Sequence, residues 1–137
     1  MLETHIGFTG NRYGLTQEQK TQIIQVFELY DDIIVSHGDC VGSDTDFHNL
    51  SIEYKQSNPT KKFLIHIYPP TDNKLRSYCV GDLIFDPKPY LQRNKNIVTN
   101  SDILIGCPID KTKEQIRSGT WSTIRFARKL NKQIYLL

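Results

Sequence analysis

Arg117-Ser118-Gly119-Thr120-Trp121-Ser122-Thr123-Ile124-Arg125-Phe126-Ala127 runs a small, hydroxyl-rich glycine turn directly into an amphipathic helix. The helix reads from about Gly119 to Leu130, with Ile124, Ala127 and Leu130 turned inward. Lys129 and Lys132 stand near its end, where cations suit the negative pole of the helix dipole. One apolar run, Ile103 to Ile105, precedes this stretch and another, Ile134 to Leu137, follows it. Strand, polar turn, helix and strand in succession make a βαβ unit, and that reading decides the fold class. The turn also carries chemistry. Such a junction brings free backbone N–H groups, the positive end of a dipole and several hydroxyls to one spot, which is how proteins hold phosphate.

The same alternation extends toward the N-terminus. Ile6 to Phe8, Ile33 to Val35 and Phe63 to Tyr68 complete a set of five apolar runs. Their β-branched content and lack of clean polar alternation suit parallel strands covered on both faces. Thr16-Gln17-Glu18-Gln19 has capping-box spacing and opens a segment in which Ile23, Ile24, Phe27 and Tyr30 recur at helical intervals. Ser43 or Asp44 is placed to cap a second helix with Phe47, Leu50 and Tyr54 inside, and a third runs from about Tyr90 to Asn100. Strands and helices alternating in this way imply right-handed crossovers. The expected fold is an α/β, Rossmann-like three-layer sandwich with a five-stranded, mostly parallel sheet.

Pro69 to Lys88 breaks the rhythm with paired prolines, a Thr-Asp-Asn cluster and only a weak apolar patch at Leu83 to Phe85. It reads either as an irregular surface loop or as a lid over a ligand. No repeat, linker or low-complexity tract divides the chain, so residues 1–137 are expected to form a single domain. At that length the chain buries roughly two-thirds of its unfolded surface, enough for a core without disulfides or a structural metal.

Composition narrows the function classes. A net charge of +2 lacks the concentrated basic face of a nucleic-acid or membrane binder, so neither is an expected partner. The three cysteines, Cys40, Cys79 and Cys107, form no CxxC pair, and their odd number argues against a secreted disulfide framework. No apolar run approaches the ~20 residues that cross a bilayer. The expectation is a soluble protein of the cytoplasm.

In an open parallel sheet, ligands settle beyond the carboxyl ends of the strands, near the reversal of strand order. The polar glycine turns fall there: Thr9-Gly10-Asn11-Arg12 after the first strand, His37-Gly38-Asp39-Cys40-Val41-Gly42-Ser43-Asp44 after the second, and Gly106-Cys107-Pro108 leading toward Arg117-Ser118-Gly119-Thr120 after the fourth. Gly10 and Gly119 permit close backbone approach, Thr9 and Thr120 offer hydroxyls, and Arg12 and Arg117 offer planar forks suited to phosphate. Three loops converging on one edge are expected to line one site.

Those segments, with the Arg93-Asn94 pair and the closing Arg-Ser-Gly-Thr-Trp-Ser-Thr-Ile-Arg, resemble the SLOG superfamily over nearly the whole chain, most weakly from Pro69 to Lys88. That superfamily gathers Smf/DNA-processing proteins, LONELY GUY phosphoribohydrolases and small nucleotide-ligand sensors. The tail is closest to the Smf-like pattern, matched by Ser118, Gly119, Thr123 and Ala127. By this resemblance Thr9, Gly10 and Arg12 make a first phosphate or ribose contact. Gly38, Asp39, Gly42 and Asp44 make a second wall, and Ser118, Gly119 and Thr120 form a cradle at the helix end, with Arg93 and Asn94 facing the same crevice. One departure matters: LONELY GUY enzymes carry a glutamate where this chain has Thr123.

Cleavage of an N-glycosidic bond needs a carboxylate to stabilise oxocarbenium charge or orient water, and Asp39, Asp44 and Glu114 are the candidates. Asp44 also reads as a helix cap, and Asp39 as a ribose contact. His37, Cys40 and His48 match no recognised zinc spacing, so no metal is expected, and no histidine is fixed beside Cys40 to make it a nucleophile. Trp121 either stacks on a base or packs beneath the loop, and Tyr13, Tyr78 and Tyr90 have the same two readings. The leading expectation is binding of a nucleotide or ADP-ribose-type ligand, for sensing or sequestration, with no further cofactor required. Hydrolysis of a nucleotide N-glycoside is the alternative, and single-stranded DNA binding a weaker third. Because one short domain offers a shallow edge, a homodimer or higher oligomer is expected.

Overall fold

A computed structural model describes residues 3–137. Strands and helices alternate as expected except where β4 follows β3 directly: β1 (Thr4–Gly10), α1 (Gln17–Glu28), β2 (Asp32–His37), α2 (Ser43–Ser57), β3 (Lys62–Ile67), β4 (Leu83–Ile84), α3 (Tyr90–Thr99), β5 (Ile103–Cys107), α4 (Gly119–Lys129) and β6 (Gln133–Leu136). The pairings are all parallel, and the order across the sheet is β4-β3-β2-β1-β5-β6. Successive strands step outward from β1 to β4, and the chain then returns to the other side of β1 for β5 and β6. The reversal of strand order therefore lies between β1 and β5, the switch point where open α/β sheets place ligands.

The sheet has six strands rather than five. β4 arises inside the Pro69 to Lys88 segment, where the Asp82 N–H donates to Ile65 O (2.8 Å) and Asp82 Oδ2 accepts the Ile65 N–H (2.8 Å). These contacts dock two exposed residues on β3, too short a run for periodicity to register.

The helices divide between the two faces. Ile23 and Phe27 of α1 and Phe47 and Tyr54 of α2 pack on Ile6, Phe8, Ile33, Val35, Phe63, Ile65 and Ile67 of the sheet, with the Phe8 and Phe47 rings stacked 4.3 Å apart. Val98 of α3 and Trp121, Ile124 and Ala127 of α4 pack on Leu104 from the other side. Two departures follow from this coverage. Leu130, expected inside, is exposed just past the end of α4. Strand β3 is covered on one face only, alternating exposed Lys62 and Leu64 with buried Phe63, Ile65 and Ile67.

Capping follows local chemistry. Thr16 caps α1 through the expected box, its Oγ1 accepting the Gln19 N–H (3.1 Å) while Gln19 Oε1 accepts the Thr16 N–H (2.9 Å). At α2 the cap is Gly42, not Ser43 or Asp44. Its φ of +92° favours glycine, and an added Cβ would meet the carbonyl oxygen of Arg12 at 2.2 Å. Gly42 thus lets the β2–α2 loop pass close against the β1–α1 loop. Among the described residues no helix is long and apolar enough to cross a membrane.

Candidate functional site

At the carboxyl ends of the strands lies a cleft of about 520 Å³, within the usual range for small-ligand sites. Thr9, Gly10, Asn11 and Arg12 line it from the β1–α1 loop, Gly38 and Asp44 from the β2 side, Arg93 and Asn94 from α3, and Arg117, Ser118, Gly119, Thr120 and Trp121 from the start of α4. Loops far apart in the chain therefore meet at one place.

Asn11 fixes the switch point. Its backbone N–H and its Nδ2 both donate to Cys107 O (3.0 and 3.1 Å), and its Oδ1 accepts the N–H groups of Tyr13 (2.8 Å) and Gly14 (3.1 Å). The side chain is wholly occupied in holding the β1–α1 loop to the end of β5. Arg12 emerges from that loop exposed, and Arg117 is exposed across the cleft lining. Among the described residues neither arginine makes an ion pair, so both retain their full donor capacity.

The start of α4 presents free backbone donors to the cleft. Ser118 is the N-cap, and its Oγ accepts the Trp121 N–H at 3.2 Å. The N–H groups of Gly119 and Thr120 precede the first intrahelical donors and head the helix at the cleft. A Cβ added to Gly119 would meet nothing within 4 Å. Neither packing nor a positive φ calls for glycine there, although glycine weakens a helix. The open space lies where a bound group would approach the backbone.

Trp121 packs rather than stacks: it is buried against Val98, Leu104 and Ile124, with Arg128 5.8 Å from its ring. Thr123 is also buried, donating through Oγ1 to Gly119 O (2.9 Å), and does not line the cleft.

Arg93 has a buried guanidinium with several partners. Nη1 donates to Gly38 O and to Tyr68 O (3.1 Å), Nε donates to Asn94 Oδ1 (2.6 Å), and the Tyr90 ring lies 5.2 Å away. It ties the ends of β2 and β3 to α3 and places a fixed positive charge beneath the cleft.

The acidic candidates separate. Asp44 lines the cleft half-buried, with Oδ2 accepting the Cys40 N–H at 3.1 Å. Burial pushes its carboxyl up to about 6, against the opposing pull of Arg93. Asp39 does not line the cleft. It is wholly buried at φ +60°, with Oδ2 accepting Arg76 Nε (2.7 Å) and Oδ1 accepting the Cys79 N–H (2.8 Å). The carboxylate read from the sequence as a ribose contact is thus aimed away from the cleft, at the 69–88 segment. Glu114 is exposed and pairs with Arg125 (3.0 Å) and Arg128 (3.3 Å) on the flank of α4. Gly42, likewise expected as a wall, serves the backbone crossing beneath it.

The 69–88 segment is thereby anchored rather than free. Ser77 N–H donates to Asp39 O and Val41 N–H to Leu75 O, both at 2.8 Å, and Thr45 Oγ1 donates to Ser77 Oγ at 2.9 Å. Its Asp72 and Leu75 complete the cleft wall, which the sequence reading missed. Polar and apolar residues in an irregular loop carry no periodic signal.

His37, His48 and Cys79 place their ligand atoms within 4.8 Å of one another, with Cys79 rather than Cys40 beside the two histidines. The hydrogen bonds set the tautomer. Asp39 N–H donates to His37 Nδ1 (2.9 Å), leaving the ring proton on Nε2 to donate to His48 Nδ1 (2.9 Å). A metal-binding histidine donates through its second nitrogen, whereas that of His37 accepts, so the geometry opposes a metal and favours a structural relay. Burial and the neighbouring His48 and Arg93 push His37 down to about 3. Burial also pushes the Cys40 thiol up, which keeps it protonated and a poor nucleophile.

Comparison with known proteins places the architecture. The chain is similar to the molybdenum cofactor binding protein from the phototrophic bacterium Rippkaea orientalis, with a TM-score of 0.66 and 23% identity, over 98% of this chain and 76% of that one. This likeness shows a shared Rossmann-like α/β fold. No family model and no curated protein matches the chain.

Proposed function

We propose that this chain binds a phosphorylated, nucleotide-like small molecule in the cleft between the β1–α1 loop and the start of α4. The observation that carries this reading is the coincidence of two unpaired arginines, Arg12 and Arg117, with an unobstructed Gly119 at the helix end. Each charge-assisted hydrogen bond there contributes about 1.5 to 3 kcal/mol. A few such contacts reach micromolar affinity without help from net charge. The structural neighbour is a cofactor-binding protein, which supports small-molecule binding on this fold. We read the chain as a small SLOG-like sensor or sequestering module of the cytoplasm, working as a homo-oligomer on a nucleotide or ADP-ribose derivative. Calorimetric titration against a panel of nucleoside phosphates, cyclic nucleotides and ADP-ribose tests it. Saturable binding that weakens at least about tenfold in Arg12→Ala or Arg117→Ala is expected. Absence of binding to every member of the panel refutes it.

One observation favours a second reading, hydrolysis of a nucleotide N-glycoside. Of the three acids singled out in the sequence, only Asp44 lines the cleft, and its carboxyl near 6 suits proton transfer at neutral pH. Asp44 would then stabilise positive charge on the sugar or activate water. Long incubation with nucleoside monophosphates should release free base, and Asp44→Asn should abolish the release.

A further inference from the structure

We propose that an apolar collar around the cleft grips a flat heteroaromatic ring on the ligand, and that Tyr13 is the specificity-determining residue that stacks on it. This rests on the anion-binding reading above. Tyr13, Val41, Leu75, Leu91 and Ile109 all line the cleft, and all are exposed, Tyr13 at 80%, Leu91 at 67% and Ile109 at 65%. Each comes from a different segment: the loops after β1, β2 and β5, the 69–88 segment, and the first turn of α3. Single exposed apolar residues are ordinary on any protein surface. Five of them converging on one polar-floored cleft form the pattern of a small-ligand site, with apolar walls and a few placed polar groups.

The division of labour follows from charge. Arg12, Arg117 and the α4 N-terminus hold an anionic end, whereas the collar offers no partner for charge and suits the uncharged face of a ring. Tyr13 is the aromatic member, and its backbone is held in place. Asn11 Oδ1 accepts its N–H at 2.8 Å, and Asn11 Nδ2 is fixed to Cys107 O at 3.1 Å. A side chain with two torsions on a fixed backbone loses little freedom when a ring lies against it. A phosphorylated sugar without a ring would satisfy the floor but leave the collar wet.

The test compares AMP and GMP with ribose 5-phosphate, titrated into the wild-type chain, Tyr13→Ala and Tyr13→Phe. The wild type is expected to prefer the ring-bearing probes by at least about tenfold, the range of one base stacked on an aromatic side chain. Tyr13→Ala should remove that preference while leaving ribose 5-phosphate unchanged, and Tyr13→Phe should keep it. Equal binding of all probes to wild type, or an intact preference in Tyr13→Ala, overturns the inference while the anion site stands. If no probe binds, the anion site and the collar both fall. Light scattering supplies a further arm: a dimer that Tyr13→Ala dissociates, with probe affinities unaltered, would make the collar a contact between copies and overturn the ligand reading.

Discussion

Arg76 Nε donates to Oδ2 of Asp39 at 2.7 Å, joining a partly exposed arginine of the 69–88 segment to a carboxylate with no solvent exposure at the end of β2. Asp39 also accepts the Cys79 N–H, so one buried charge anchors the stretch from Arg76 to Cys79 that directly follows the cleft-lining Asp72 and Leu75. Removing it leaves a largely enclosed cation without its partner and an unsatisfied N–H. Asp39→Ala should therefore cost about 3 to 5 kcal/mol in urea unfolding and open the 69–88 segment to limited proteolysis. A catalytic aspartate would lose activity without that loss of stability.

Gly119 leads to a prediction with opposite signs for folding and binding. Its added methyl meets no atom within 4 Å, so Gly119→Ala should be neutral or stabilise the fold by up to about 1 kcal/mol. The same methyl would stand in the path of the phosphate proposed to approach the helix end. Thermal unfolding should show an unchanged or raised midpoint, and titration should show affinity reduced by about tenfold or more.

Acid stability has two opposing contributions. His37 is held neutral down to about 3 while its unfolded counterpart titrates near 6.5, so between these values the unfolded chain binds the extra proton and stability falls as pH falls. Asp44 is held up to about 6, above the 3.8 of an ordinary aspartate, so between those values the folded chain binds the extra proton and stability rises as pH falls. The two slopes offset each other between about pH 4 and pH 6. Asp44→Asn should expose the histidine slope, a loss of about 1.4 kcal/mol per pH unit on acidification through that window. Urea midpoints measured at half-unit intervals check it, and an unchanged slope would sink the assignment.

Arg93 should resist even its conservative replacement. Its fork reaches Gly38 O, Tyr68 O and Asn94 Oδ1 together, a geometry that the single ammonium of lysine does not reproduce. Arg93→Lys should lower stability by about 1 to 3 kcal/mol, read by chemical unfolding, with weaker binding at the cleft because its walls loosen.

Much of the architecture was legible in the sequence because it is local. The β-branched apolar runs, the Thr16 capping box and the glycine turn before α4 each express preferences over a few residues. They led to the α/β alternation, to five of the six strands and to the edge that carries Thr9 to Arg12 and Arg117 to Trp121. β4 escaped because two exposed residues have no period, and their place on β3 depends on Asp82 meeting Ile65 from 17 residues away.

What only the tertiary structure decided is where side chains in irregular loops point. The spacing of Gly38-Asp39-Cys40 allowed Asp39 to face a ligand, but a positive φ and a salt bridge to a residue 37 positions onward turn it inward. Trp121 had two readings until the packing of α4 against β5 buried it. The collar of Tyr13, Val41, Leu75, Leu91 and Ile109 likewise exists only because the sheet brings five separate segments to one end. Residue type and spacing determine which elements form, since those depend on neighbours in the chain. Convergence and burial depend on partners that only folding brings together.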